Sequence, residues 1–201
     1  MTPSTLHGCL TLQSGEQVDF SLSNDGAGTL VQSLQSSKPF ARPAFVLAGP
    51  QSLITCPGAA VVRVDFEAHP LVRGRELERL PAGHTRCEIS SEEWRQATTQ
   101  MEAENIPRAE RVGTPGAPLT VYGRFGLSTG DTFYVRHSLT TPELLEQRRF
   151  LAAPFAQGSF VFERGDGGVS LLNPAHILYA QYHPGAAPTS DSWTVSSLHL
   201  L

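Results

Sequence analysis

Gly8-Cys-Leu-Thr-Leu-Gln-Ser-Gly15-Glu-Gln-Val-Asp-Phe20 and Gly123-Arg-Phe-Gly-Leu-Ser-Thr-Gly130-Asp-Thr-Phe-Tyr-Val135 fall on one another when the sequence is slid along itself by 115 residues. The same offset pairs Pro39-Phe-Ala41 with Pro154-Phe-Ala156 and Phe45-Val46 with Phe160-Val161. Across residues 8 to 47, 11 of 40 pairs are identical, where unrelated chains of ordinary composition match at roughly two or three. Several non-identical pairs are physically alike, among them Glu16 with Asp131, Val18 with Phe133 and Leu47 with Phe162. The sequence therefore reads as a tandem duplication of one small unit. Beyond Leu47 the alignment takes two extra residues in the second copy, which sets Pro57 against Pro174.

Each copy opens with alternating apolar residues: Leu10, Leu12, Val18 and Phe20 in the first, Phe125, Leu127, Phe133 and Val135 in the second. A period of two means half-buried strands. The Gly-centred connections at Gly15 and Gly130 predict a hairpin in both, because glycine reaches positive φ at little cost. In the second copy Thr140-Thr-Pro-Glu143 is a capping box, which predicts a helix from about Thr141 to Leu151. Gly26 and Gly28 occupy the matching place in the first copy, each costing about 1 kcal/mol of helix propensity. That sets a shorter helix there, from about Thr29 to Gln35. Further strands follow at Ala44 to Leu47, Ser52 to Thr55 and Val61 to Phe66, and again at Ser159 to Glu163, Val169 to Leu172 and His176 to Tyr182.

The expected fold class is α+β, mainly β: two strand-strand-helix-strand-strand(-strand) units packed as an intramolecular pseudo-dimer. Residues 1–66 form the first unit and 119–185 the second. A unit of about 60 residues is marginal alone, and pairing two copies removes that difficulty. Residues 67–118 are a polar linker with one amphipathic helix at about 90–105. It is capped by Ser90 and Glu93 and carries Trp94, Ala97 and Met101 on one face before Pro107. Residues 186–201 are a tail that can add a strand.

Composition narrows the function. A hydrophobic fraction of 40% can build a core, and a net charge of −4 is spread without a basic arm or acidic tail. The stretch after Met1 shows no basic and apolar leader pattern, and no apolar run approaches a membrane span, so the expectation is a cytoplasmic protein without a membrane partner. Cys9, Cys56 and Cys87, odd in number and widely spaced, fit reduced thiols in that compartment.

Chemical motifs are weak. Gly126-Leu-Ser128-Thr-Gly130 has the letters of a nucleophile elbow, but on a strand entering a hairpin rather than at a strand-to-helix turn, and no acid or histidine partner is evident. His84 and Cys87 are two metal-type side chains where a structural zinc needs four, and the remaining candidates, His69, Cys9, Cys56, His176 and His183, show no second paired spacing. Arg164-Gly165-Asp166 reads as a turn. No phosphate-binding or dinucleotide fingerprint is present, so no catalytic residue, metal or cofactor is assigned, and the balance is against an enzyme.

One asymmetry between the copies carries more. If Phe125, Leu127, Phe133 and Val135 face the core, the pleat sends Tyr122, Arg124, Tyr134 and Arg136 to the other face. The first copy has His7, Cys9, Asp19 and Ser21 there. Tyr and Arg are enriched at interface hot spots. The expectation is a non-enzymatic interaction or regulatory protein whose second copy binds a protein partner through these four residues. The competing bland account is that the linker helix with Trp94, or the sister copy, covers the face. Two alternatives stand beside it: single-stranded nucleic acid on the same face, disfavoured by the net negative charge, and a small ligand or substrate in a pocket between the copies. Homo-oligomerisation is left open.

Overall fold

The computed structural model describes residues 5–36, 38–72, 84–104, 116–140 and 154–184. The fold is mainly β with helices, of the α+β class. In chain order the strands are β1 (Leu6–Leu12), β2 (Gln17–Leu22), β3 (Ala44–Ala48), β4 (Leu53–Pro57), β5 (Val61–Phe66), β6 (Thr85–Ile89), β7 (Pro118–Leu127), β8 (Thr132–Thr140), β9 (Phe160–Glu163), β10 (Val169–Leu172) and β11 (Ile177–His183). Helix α1 spans Asn24–Ser36 and α2 spans Ser91–Ala103. Nine strands form one sheet in the order β11-β7-β8-β6-β9-β10-β5-β1-β2, while β3 and β4 pair as a separate hairpin.

Both predicted hairpins form around glycines at positive φ, 87° at Gly15 and 90° at Gly130. The turns close alike: Gly15 N–H donates to Leu12 C=O and Gly130 N–H to Leu127 C=O. Side chains repeat the pattern, with the Ser14 hydroxyl on Glu16 and the Thr129 hydroxyl on Asp131.

Two local expectations need correction. Helix α1 starts at Asn24 rather than Thr29 and runs for 13 residues. Ser23 caps it, its carbonyl taking the Ala27 amide and its hydroxyl facing the Gly26 amide. Ala27, Val31 and Leu34 are buried as one stripe, and that burial outweighs the cost of two glycines. The polar linker is also more than a linker, because β6 lies inside the large sheet, antiparallel to β8 and joined to β9 by one parallel bridge, Cys87 opposite Glu163. Helix α2 lies where capping placed it, with the Ser90 hydroxyl accepting from the Glu93 amide. The helix expected from about Thr141 to Leu151 and the tail at 186–201 lie outside the described residues.

The core has two parts. One gathers Leu6, Leu10, Phe45, Val64 and Phe66 with α1, and receives Val161, Val169 and Leu171 from β9 and β10. The other gathers Phe125, Leu127, Phe133, Val135, Phe160, Phe162 and Leu172, and receives Val62 from β5. Strand β10 is buried at every position because its alternate residues serve different cores. It pairs antiparallel with β5, Leu171 opposite Val64 and Val169 opposite Phe66.

Candidate interaction surface

The face opposite the second core is built by register. Phe125 stacks on Phe133 at 4.8 Å inside the core, so pleating turns their neighbours outward. Strand pairing then sets Tyr122 opposite Arg136 and Arg124 opposite Tyr134. All four are half-buried. On the β1–β2 hairpin, His7 stands opposite Ser21 and Cys9 opposite Asp19.

Helix α2 sits on part of this face. The Trp94 ring lies 5.4 Å from Tyr134 and meets His183 edge-on at 5.6 Å. Arg136 Nη1 donates to Glu93 Oε1 at 2.8 Å, an ion pair whose two side chains are each 43% exposed. Such a pair contributes about 0 to 1 kcal/mol. Arg124 packs over the Tyr179 ring of β11 at 5.9 Å. Tyr134 and Arg136 therefore meet the helix, whereas Arg124 and Tyr122 flank β11, where Tyr122 stands opposite His183.

A second feature, a cavity of about 640 Å³, lies where the two halves and β6 meet, with Arg63, Asp65, Glu88, Asp131, Tyr134 and Arg164 among its lining. The Arg63 guanidinium organises its wall: Nε bonds Asp65 at 2.6 Å, Nη2 bonds Ser170 at 2.9 Å, Glu88 lies at 3.4 Å, and the Phe162 ring lies beneath at 5.3 Å. Ser170 also donates to Asp65. Three segments far apart in sequence thus share one cation. The alternation Arg63-Val64-Asp65-Phe66 carried the signal for a charged face on β5, with Val64 and Phe66 in the first core, but the partners Glu88 and Ser170 are set by tertiary pairing alone.

Ser128, discarded from the sequence for want of a partner, has one. Its Oγ lies 2.7 Å from Nδ1 of buried His176, whose Nε2 lies 2.8 Å from the Ala59 carbonyl. A carbonyl only accepts, so Nε2 donates to Ala59, and in the neutral imidazole Nδ1 then accepts from the serine hydroxyl. No carboxylate supports the imidazole in these contacts, and the Ser128 amide is already bound to the His176 carbonyl. The arrangement joins the two halves rather than presenting a nucleophile. His84 and Cys87 go to different partners, His84 Nε2 to the Thr140 amide and Cys87 towards Glu163. No three His, Cys, Asp or Glu side chains converge as a metal site among the described residues. Arg164 and Asp166 pair across the β9–β10 turn at 2.7 Å. No helix among the described residues is long and apolar enough to cross a membrane.

The chain matches no family model, and neither the curated proteins nor the solved structures hold a significant relative.

Proposed function

We propose that this chain is a non-enzymatic interaction protein made from two copies of one β unit, residues 1–66 and 119–185, with the second copy specialised for recognition. Support for the duplication comes from register. Gly8 stands opposite Phe20 and Phe66, and Gly123, 115 residues on, stands opposite Val135 and Tyr182. The Gln13 amide donates to the Ala60 carbonyl as the Ser128 amide does to that of His176. The β3–β4 turn closes between Gly49 and Ser52, and the β9–β10 turn between Arg164 and Gly168. One inserted residue, not two, separates the copies beyond that point, so Pro57 corresponds to Asn173 and the offset there is 116.

The partner-binding residues are Tyr122, Arg124, Tyr134 and Arg136. Helix α2 covers Tyr134 and Arg136, as the covered-face account expects, and the observation that carries this reading is that it meets them through one ring contact, Trp94 on Tyr134, and one part-exposed ion pair, Glu93 with Arg136, beside its buried Thr98. A partner presenting similar groups meets Arg124 and Tyr122 beyond the helix, and Arg136 through an ion pair weak enough to exchange. The three free thiols favour a reducing compartment such as the cytoplasm. Replacing Arg124 and Arg136 together with Ala is expected to leave the melting temperature within about 2 °C, because the ring contact and the part-exposed ion pair of these half-buried side chains are weak, and to abolish retention of whatever protein the wild type captures. Unchanged retention removes the reading.

The cavity around Arg63 favours a second reading, a small polar ligand held between the copies. A thermal-shift screen that finds no stabilising compound, alongside an unaltered melting temperature profile, counts against it.

A further inference from the structure

Strands β5 and β11 carry the same irregularity at the same place. In β5, Thr11 stands opposite Arg63 and Leu12 opposite Val61, so Val62 bulges out of the ladder. In β11, Gly126 stands opposite Tyr179 and Leu127 opposite Ile177, so Leu178 bulges. Yet Val62 is 1% exposed and Leu178 67%. The difference lies in what adjoins each strand. β10 covers the outer edge of β5 and lets Val62 enter the second core. Among the described residues, β11 pairs only with β7.

The same contrast holds on the other side of the seam. Val161 and Val169 are each 2% exposed, while their counterparts Val46 and Leu53 are 57% and 63% exposed. Among the described residues, three of the six exposed large apolar side chains, Val46, Leu53 and Leu178, are thus the counterparts of residues buried at or beside the β5–β10 junction. The backbone is prepared as well. Because Gly49 donates to the Ser52 carbonyl, alternation directs the amides and carbonyls of Leu53 and Thr55 away from β3, and β4 has no other neighbour among the described residues.

We infer that β4 of one chain adds to β11 of a second copy of the same chain, in the register of β10 on β5. Leu53 then stands opposite Tyr182 and Thr55 opposite Ala180, with Leu178 entering the first core of the neighbour. The occupant is a second copy because, among the described residues, the seam of this shape and register is the chain's own. The inference rests on the duplication argued above. Each chain offers one socket and one knob, so the contact is head to tail and closes into a ring or extends as a filament.

The test is sedimentation velocity of the full chain over a wide concentration range. Wild type is expected to run larger than a monomer, and Leu178→Glu and Thr55→Pro to run as monomers with unchanged far-ultraviolet circular dichroism. In mixing experiments, Ile54→Cys with Gln181→Cys is expected to form an intermolecular disulfide, and Ile54→Cys with Ala180→Cys, which shifts the face, is not. A monomeric wild type, whether residues 185–201 take the β11 edge or nothing does, overturns the inference, as does assembly that survives both substitutions. Val62→Glu separates this from the duplication itself. If it unfolds the chain while wild type stays monomeric, the internal seam stands and only the external one fails. If it leaves the melting temperature unchanged, the duplicated-seam reading fails first.

Discussion

His176 holds Ser128 from one ring nitrogen and the Ala59 carbonyl from the other, at 2.7 and 2.8 Å, so one imidazole ties the second hairpin to the first half of the chain. Replacing His176 with Ala leaves a buried carbonyl and a hydroxyl without it, a loss of about 1 to 3 kcal/mol. Ser128→Ala should cost less, because it removes one bond and leaves the Ala59 contact. Urea denaturation of both single variants and the double variant checks this, and strict additivity would show that the two do not act together.

His137 lies fully buried between Phe125, Phe160 and Tyr182, and burial, with Arg86 opposite it on β6, lowers its pKa from 6.5 to about 3. The unfolded chain therefore takes up a proton first as pH falls. Stability from this site is complete above pH 6.5 and is lost between 6.5 and 3, at up to about 1.4 kcal/mol per pH unit. Denaturation at pH 7 and pH 5 should differ by about 2 kcal/mol more in wild type than in His137→Leu. Equal slopes would mean that the imidazole is not buried neutral.

Glycine substitutions should separate by site. A Cβ on Gly58 would press on the backbone carbonyls of Arg42 and Phe40, which cannot swing aside. Gly58→Ala is expected to cost about 2 kcal/mol or more. A Cβ on Gly28 meets nothing within 4 Å on the exposed side of α1, so Gly28→Ala should stabilise by about 0.5 to 1 kcal/mol. Thermal melts of the two variants give opposite signs if the packing is right.

Burial, then the hydrogen bond and charge of Asp19, pushes the Cys9 thiol up to about 11, and burial with Glu163 raises that of Cys87. Cys56 is almost wholly enclosed. At mild alkaline pH a chromogenic disulfide reagent should label the native chain slowly and all three thiols at once in urea, since only the thiolate reacts. Fast native labelling of Cys9 would contradict the Asp19 environment.

The hairpins at Gly15 and Gly130 were legible because alternation and turn chemistry are local, and the Ser90 cap placed α2 for the same reason. The outward set Tyr122, Arg124, Tyr134 and Arg136 followed from pleat parity, and the structure brings all four onto one face with α2 on part of it. What lay beyond the residues themselves was long-range. Nothing local in Thr85–Ile89 tells that it will complete a sheet between β8 and β9. Helix α1 was cut short by weighing Gly26 and Gly28 without the buried stripe of Ala27, Val31 and Leu34. His176, 48 residues from Ser128, was invisible as its partner for want of any pattern linking them.

Strand β5 is finished long before the strand that covers it. Asp65 and Ser170, bonded across that junction, are 105 residues apart in the chain. At ribosomal rates of about 5 to 20 residues per second, the first half waits roughly 5 to 20 seconds with Val62 and an open ladder exposed. A nascent chain therefore passes through a stage in which its own missing strand and any neighbouring polysome's product compete for one edge, and the timing of synthesis becomes part of how this protein reaches its fold.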